Sequence, residues 1–345
     1  MKAAVHYAPG DTRIEEVTDP KCPPGGVVIR VKAVGICGSD VRTHYSGSHK
    51  ISEPMVLGHE AAGEVIECDD AHETFKIGDG VAMAPGIFCT KCYYCRSGMT
   101  TMCENLTELG FQYPGGFAEY MAIPGIAFQR GRIVGIPDGL SFDQAAVCEP
   151  PSSCIMAQER ANVSLGESVV ILGAGPIGCL QVQVARARGA ANIMIIDTAP
   201  QRLESARPFG ADSYIDPGKE DPVEKVRELT GGLGADKVIV AAPSAVAQQQ
   251  SVEMARRQGT VVFFGGLPKD KPCAELNTNT VHYRDVIIMG HYGQEKRHVA
   301  LALDMIARGQ INTEKLITDV LPLDEIIKGF ELVRDKKALK VLLRP

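Results

Sequence analysis

VVILGAGPIGCLQVQVARARG, residues 169–189, decides how the second half of this chain folds. VVILG is a short run of β-branched and apolar residues, which reads as a buried strand. Gly173-Ala-Gly175-Pro176-Ile177-Gly178 follows at once, and PIGCLQVQVARARG then repeats apolar residues at helical spacing until Gly189 stops it. NIMIID supplies the next strand and ends on Asp197, 19 residues beyond Gly178. Glycines in that frame permit a tight turn, a backbone approach to a pyrophosphate and close strand–helix packing. The free N–H groups that open the helix face the negative diphosphate. A carboxylate at Asp197 accepts from ribose hydroxyls and repels a 2′-phosphate, which favours NAD over NADP. The plainer reading is a glycine turn followed by an Asp-Thr turn, and the complete strand–helix–strand unit argues against it. The candidate cofactor residues are Gly173, Gly175, Pro176, Ile177, Gly178, Asp197 and Arg202.

Outward from this unit the alternation continues. A helix over 200–207 is predicted to end or kink at Pro208, then come the strand DKVIVAA (236–242), a helix around SAVAQQQSVEMARRQ and the strand TVVFFGG (260–266). Such alternation predicts a parallel sheet covered by helices on both faces. Before residue 150 the chain reads as β-rich: VVIRVKAVGIC alternates like a strand, and PPGG and YPGG punctuate the segment. After 285 come VIIMG, a helix over 296–308, a second helix and a basic tail strand. This last piece is too short for a core of its own. The expected domains are therefore 1–152, completed by 286–345, and 153–285.

At 345 residues the chain is long enough for two cores. With 45% hydrophobic and 23% charged residues it has the composition of an ordinary globular protein. A net charge of −6 argues against nucleic acid or an anionic membrane as partner, because both require a basic face. No apolar run reaches the length of a membrane span. The opening MKAAVHYAPG lacks the form of a secretory or transit signal, so a cytoplasmic protein is expected.

Eleven cysteines are many for that compartment, where close spacing more often means metal than disulfide. Cys89, Cys92, Cys95 and Cys103 lie in FCTKCYYCRSGMTTMCE (88–104), a C-x2-C-x2-C-x7-C pattern. Four thiolates complete a tetrahedral zinc site with no vacant position, which orders a loop and binds no substrate. A redox CxxC pair and an iron–sulfur cluster are the other chemistries open to this set. A second group is dispersed: Cys37 in GICGSD, His59 and Glu60 in GHEAAGEV, and Glu149 in CEP. One thiolate, one imidazole and carboxylates make a mixed site able to keep a position open, as catalytic zinc requires. Singly, each reads as a buried thiol, a core histidine or a turn-capping carboxylate.

Taken together, GICGSD, GHEAAGEV, the four-cysteine loop, GGFAEY (115–120), CEP and GAGPIG resemble the zinc-dependent medium-chain alcohol and polyol dehydrogenases along essentially the whole chain. Glu149, where alcohol dehydrogenases have a second cysteine, and Glu60 after the histidine resemble the sorbitol (L-iditol) dehydrogenase branch. The resemblance implies an α/β protein: a GroES-like β-barrel catalytic domain plus a Rossmann doubly wound parallel sheet. It implies structural zinc on Cys89, Cys92, Cys95 and Cys103, and catalytic zinc on Cys37 and His59, completed by Glu149, Glu60 or a water. Asp40 would orient His59, and Ser39 would take the proton from the substrate hydroxyl. The implied reaction is hydride transfer from a polyol or secondary alcohol to NAD+, giving a ketone and NADH, in a homo-oligomer of tetrameric or dimeric form. A sugar-alcohol-phosphate dehydrogenase, a threonine-type dehydrogenase and a redox-inactive NAD-binding protein are the alternatives.

Three positions depart from that pattern. Arg42 stands where a histidine often follows the zinc cysteine, and a guanidinium does not release a proton at working pH. His44 lies near a position often aromatic in polyol enzymes, with a share in proton traffic as its expected role. In GHYGQEKRH (290–298), Tyr292 matches a substrate-facing Arg-Tyr pair of sorbitol dehydrogenases, but His291 replaces the arginine. Lys296, Arg297 and His298 then form a basic run suited to a phosphate or carboxylate, or to the solvated start of a helix.

Overall fold

The computed structural model describes residues 1–345, which divide into two compact units. The first comprises Met1–Ser152, Gln294–Gly309 and Thr313–Pro345; the second comprises Ser153–Gly293 and Gln310–Asn312.

In the first unit, Val27–Gly35 is the organising strand. Its apolar residues are buried while Arg30 is exposed, a pattern that leaves most of the strand in the core. It pairs antiparallel with Glu60–Cys68, with Tyr120–Ile123 and with Lys340–Arg344 from the end of the chain. Gly80–Ala84 and Arg132–Gly135 extend the sheet on one side, and Ile317–Pro322 on the other. Val27, Ile29, Val34, Met121, Phe117, Phe330 and Leu343 fill one continuous core. Burying such a side chain is worth about 1.5–3 kcal/mol, so the C-terminal strand is held as firmly as the first ones. Two pairings matter for the site. Gly35 lies opposite Glu60, and Leu342 lies opposite Gly35.

The second unit is a six-stranded, wholly parallel sheet. Its spatial order is Ser213–Ile215, Asn192–Ile196, Ser168–Leu172, Ala235–Val240, Ala255–Phe263, Ile287–Gly290. Counted within the unit this is the 3-2-1-4-5-6 order of doubly wound dinucleotide folds. The return to the first unit comes at Gln294, not at 286, because Ile287–Gly290 pairs parallel with Ala255–Phe263 and serves as the sixth strand. The helix before Pro208 is Pro200–Ala206, and Pro208 falls in a short 3-10 turn, Arg207–Phe209. The helix expected through residue 258 stops at Met254, and the strand begins at Ala255. The ladder register shifts between Ala235–Ala255 and Lys237–Thr260, and Gln258 takes a positive φ within the irregular stretch.

Candidate active site

Cys37 caps the helix Gly38–Ser46, two residues past the end of the central strand. Asp40, in the helix's first turn, accepts the Cys37 backbone N–H at 2.9 Å, and its other oxygen lies 3.3 Å from His59 Nδ1. His59 immediately precedes the strand opened by Glu60, so sheet pairing carries both residues to the Gly35 end of the central strand. Candidate ligand atoms of Cys37, His59 and Glu60 all lie within 4.8 Å of one another. The backbone at Gly35 permits this approach: a Cβ there would stand 2.4 Å from Glu60 Oε2.

Lys340 closes the group. Its ammonium donates to Glu60 Oε1 at 2.9 Å and Oε2 at 2.7 Å, and to the Ile36 carbonyl at 3.3 Å. Both side chains are buried. Burial opposes a charge on Lys340, but the negative groups Glu60 and Cys37 outweigh it and hold its pKa above the usual value. At His59 burial likewise opposes protonation, while Asp40 and Cys37 overcome it and hold the imidazole proton well above the ordinary range. Glu149 opens the helix Glu149–Arg160, and its Oε1 accepts from Gln294 Nε2 at 2.9 Å. Burial first, and then the charge of Glu60, push its pKa up. It faces the same charges but stands outside the close three-residue set. A thiol, an imidazole and a carboxylate offer zinc the soft and borderline donors it prefers.

The four cysteines form a second close set, again within 4.8 Å. Cys89 Sγ accepts the backbone N–H groups of Lys91 and Cys92, each at 3.4 Å, and Cys103 Sγ accepts that of Cys89 at 3.2 Å. These N–H groups lower the Cys89 pKa to about 6, whereas burial and neighbouring thiols push Cys95 up to about 12. All eleven cysteines are free thiols. N–H groups aimed at sulfur suit thiolates around a metal, and a disulfide pair would have no use for four converging sulfurs.

In the second unit, Gly173 has φ +114° and Gly178 packs so tightly that a Cβ would meet the Gly173 carbonyl oxygen at 1.8 Å. Gly175 caps the helix Pro176–Ala187, with Pro176 in its first turn and Ile177 next to it. Asp197 accepts from the Ala174 N–H at 2.8 Å and the Ala199 N–H at 2.9 Å, and Arg202 reaches to 3.9 Å from it. Its carboxylate therefore sits beside the glycine turn and keeps further lone pairs for a ligand.

Two family models match the chain: the alcohol dehydrogenase GroES-like domain over residues 23–130, and zinc-binding dehydrogenase over 176–308. A sorbitol dehydrogenase of Bacillus subtilis is 32% identical over 351 aligned residues, covering 100% of this chain and 97% of the relative. The chain belongs to the zinc-binding alcohol dehydrogenase family. Among solved structures, 2R,3R-butanediol dehydrogenase from Bacillus subtilis superposes with a TM-score of 0.91 at 30% identity, covering 100% and 99% of the two chains. A zinc-binding dehydrogenase from Sinorhizobium meliloti 1021, bound to NADP, gives 0.93 at 30% identity with the same coverage.

Against this dehydrogenase framework the remaining candidates fall unevenly. Ser39 is half-buried in the first turn beside Cys37. His44 does not join the metal set. Its Nδ1 lies 2.8 Å from Thr12 Oγ1, its ring packs on Phe330, and the charged groups that act on it are His6 and Asp11. His291 stacks on Phe264 with its Nε2 3.0 Å from Ser153 Oγ, and Tyr292 is exposed. The run 296–298 opens the helix Lys296–Ala307 with Lys296 and Arg297 exposed, as the solvated start of a helix, and its polar groups already have partners in the chain. His298 is buried and accepts the Glu295 N–H, Lys296 donates to the Phe128 carbonyl, and Arg297 lies 3.5 Å from Glu295. Sequence reasoning missed Lys340 and Gln294. Neither carries a local motif, and the sheet and a long-range hydrogen bond bring them in.

Proposed function

We propose that Cys37, His59 and Glu60 hold a catalytic zinc with Glu149 in reserve, that Cys89, Cys92, Cys95 and Cys103 hold a structural one, and that the enzyme oxidises a polyol or secondary alcohol with NAD+. The convergence of Cys37, His59 and Glu60 within 4.8 Å, in a chain whose other unit carries a dinucleotide turn, carries this reading. When bound, zinc acidifies a substrate hydroxyl and the nicotinamide takes the hydride. The chain's own residues do the rest. Asp40 fixes the His59 ring, Lys340 offsets the charge of Glu60, and Ser39 receives the hydroxyl proton and passes it outward. Asp197, with no neutral or basic residue in its place, favours the ribose of NAD over a 2′-phosphate. The Sinorhizobium relative bound to NADP makes cofactor preference a point to measure.

The chemistry also supports a cytoplasmic homo-oligomer. The set of four thiols persists best in a reducing compartment. Ile287–Gly290 is an edge strand with Ile287 and nearby Tyr283 exposed, an arrangement that invites pairing with a second copy. The decisive test combines metal analysis with NADH formation across polyols, polyol phosphates, simple secondary alcohols and threonine. About two zinc ions per chain and turnover of a polyol or secondary alcohol are expected. One zinc per chain, or turnover of threonine alone, would refute this reading.

A further inference from the structure

Two carboxylates belong to the Cys37 site, and the chain holds them differently. Glu60 lies in the close set with Cys37 and His59, and the Lys340 ammonium grips both of its oxygens, at 2.9 and 2.7 Å. Glu149 lies outside that set, and Gln294 holds it by one oxygen: the amide Nε2 donates to Oε1 at 2.9 Å, and nothing in the chain donates to Oε2. One amide on one oxygen is a weaker hold than an ammonium on two.

Both ends of that contact are anchored. Pro150 and Pro151 follow Glu149, are buried, and lock φ at the next two positions. Ser152 Oγ then donates back to the Glu149 carbonyl at 2.5 Å. On the other side, Gln294 is 4% exposed and directly precedes a helix start closed by a reciprocal cap. There the Glu295 side chain accepts the His298 N–H, and His298 Nδ1 accepts the Glu295 N–H at 3.2 Å. With both main chains fixed, the side-chain torsions of Glu149 are the freedom that remains, and the bond to Gln294 restrains them.

From this geometry we infer that Gln294 is a positioning residue: it holds Glu149 back from Cys37, His59 and Glu60, and so keeps one coordination position open for the substrate hydroxyl. This rests on the dehydrogenase reading above and deepens it at the same site. A buried carboxylate stripped of its donor turns to the nearest positive charge. Lys340 has none to spare, because its three N–H groups go to the two Glu60 oxygens and the Ile36 carbonyl. The remaining cation is a metal ion held by the Cys37 set, and a further protein ligand there would close a centre that must stay open to bind substrate.

The enzyme with cobalt(II) exchanged for zinc tests this, with imidazole as the probe. Imidazole adds only where a coordination position is open, so a closed four-thiolate centre gives no response and the change in the cobalt visible bands reports the Cys37 site. Gln294→Met keeps the length of the side chain but removes the donor. It should weaken imidazole binding by about tenfold or more, the worth of a hydrogen bond to a charged group, and slow loss of the metal to a chelator. In the zinc enzyme KM for the alcohol should rise with kcat little changed, because Glu149 then competes with substrate for one position. In a Glu149→Gln background the same change at Gln294 should leave imidazole affinity where it was. NADH affinity, measured by fluorescence, should stay constant and reports on folding; Gln294→Ala replaces Gln294→Met if the latter does not fold. Imidazole affinity unmoved or strengthened in the folded variant overturns the inference, and so does a loss that persists in the Glu149→Gln background. Either result leaves the dehydrogenase reading standing. A parent enzyme that gives no imidazole response and turns over no alcohol would instead overturn that reading and this inference with it.

Discussion

Lys340 and Glu60, 280 positions apart, form a buried ion pair with both carboxylate oxygens engaged, at 2.7 and 2.9 Å. The central strand makes this possible, since Gly35 faces Glu60 on one side and Leu342 on the other. The last strand of the chain thereby sets the charge balance of a site whose candidate ligands all lie in the first part of the sequence.

Removing one partner leaves a buried charge unpaired, which costs about 3–5 kcal/mol. Lys340→Met should therefore lower unfolding stability by that amount in denaturant titrations of the zinc-free protein. The double variant Lys340→Met with Glu60→Gln removes both charges and should recover most of the loss. If the double variant is as unstable as the single one, packing of Lys340 rather than its pairing is what matters.

Cys92 both belongs to the four-thiol set and caps the short helix Tyr93–Arg96. Cys92→Ser should release about one zinc per chain and lower the melting temperature, with NADH affinity unchanged. The division between a structural and a catalytic metal fails if a folded, correctly assembled Cys92→Ser enzyme retains the other zinc yet has lost turnover.

Asp197→Ala removes a charged acceptor beside the glycine turn and frees the Ala174 and Ala199 N–H groups. A lost hydrogen bond to a charged group corresponds to roughly a 10- to 100-fold loss of NADH affinity. NADPH should lose much less, because its 2′-phosphate no longer meets a carboxylate. The ratio of the two dissociation constants is the measurement, and an unchanged ratio would remove Asp197 from cofactor selection.

Features confined to a few consecutive residues were legible in the sequence. The strand, glycine turn and helix from 169 to 189 carry their conformational reasons locally, as does the cysteine spacing from 89 to 103. Long-range assembly was not. Cys37 and Glu60 could be named as candidates, but their meeting depends on strand register, and Lys340 looked like one basic residue in a tail strand. IIMG (287–290) reads equally well as the end of one unit or the start of the next, and only its parallel pairing to Ala255–Phe263 assigns it. The contacts of His44 were not legible either: the helix Gly38–Ser46 turns it inward to Thr12 and Phe330, which no local motif announces.

That inward turn has a pH consequence. Thr12 Oγ1 lies 3.1 Å from His6 Nδ1 and 2.8 Å from His44 Nδ1, so one hydroxyl serves two buried imidazoles. Burial is the main cause holding both pKa values below the ordinary 6.5; Glu53 and Asp11 only partly oppose it at His6, and His6 reinforces it at His44. Above 6.5 neither state binds these protons and the pair leaves stability independent of pH. Below 6.5 the unfolded chain takes up protons that the folded chain resists, so stability falls as pH drops toward the depressed folded values. His44→Asn keeps a group able to bond Thr12 but cannot ionise. Unfolding free energies measured for parent and variant across this range should show a shallower acid loss in His44→Asn, because the carboxylate contributions common to both cancel in the difference. Parallel curves would mean that His44 takes up its proton as readily in the folded chain as in the unfolded one.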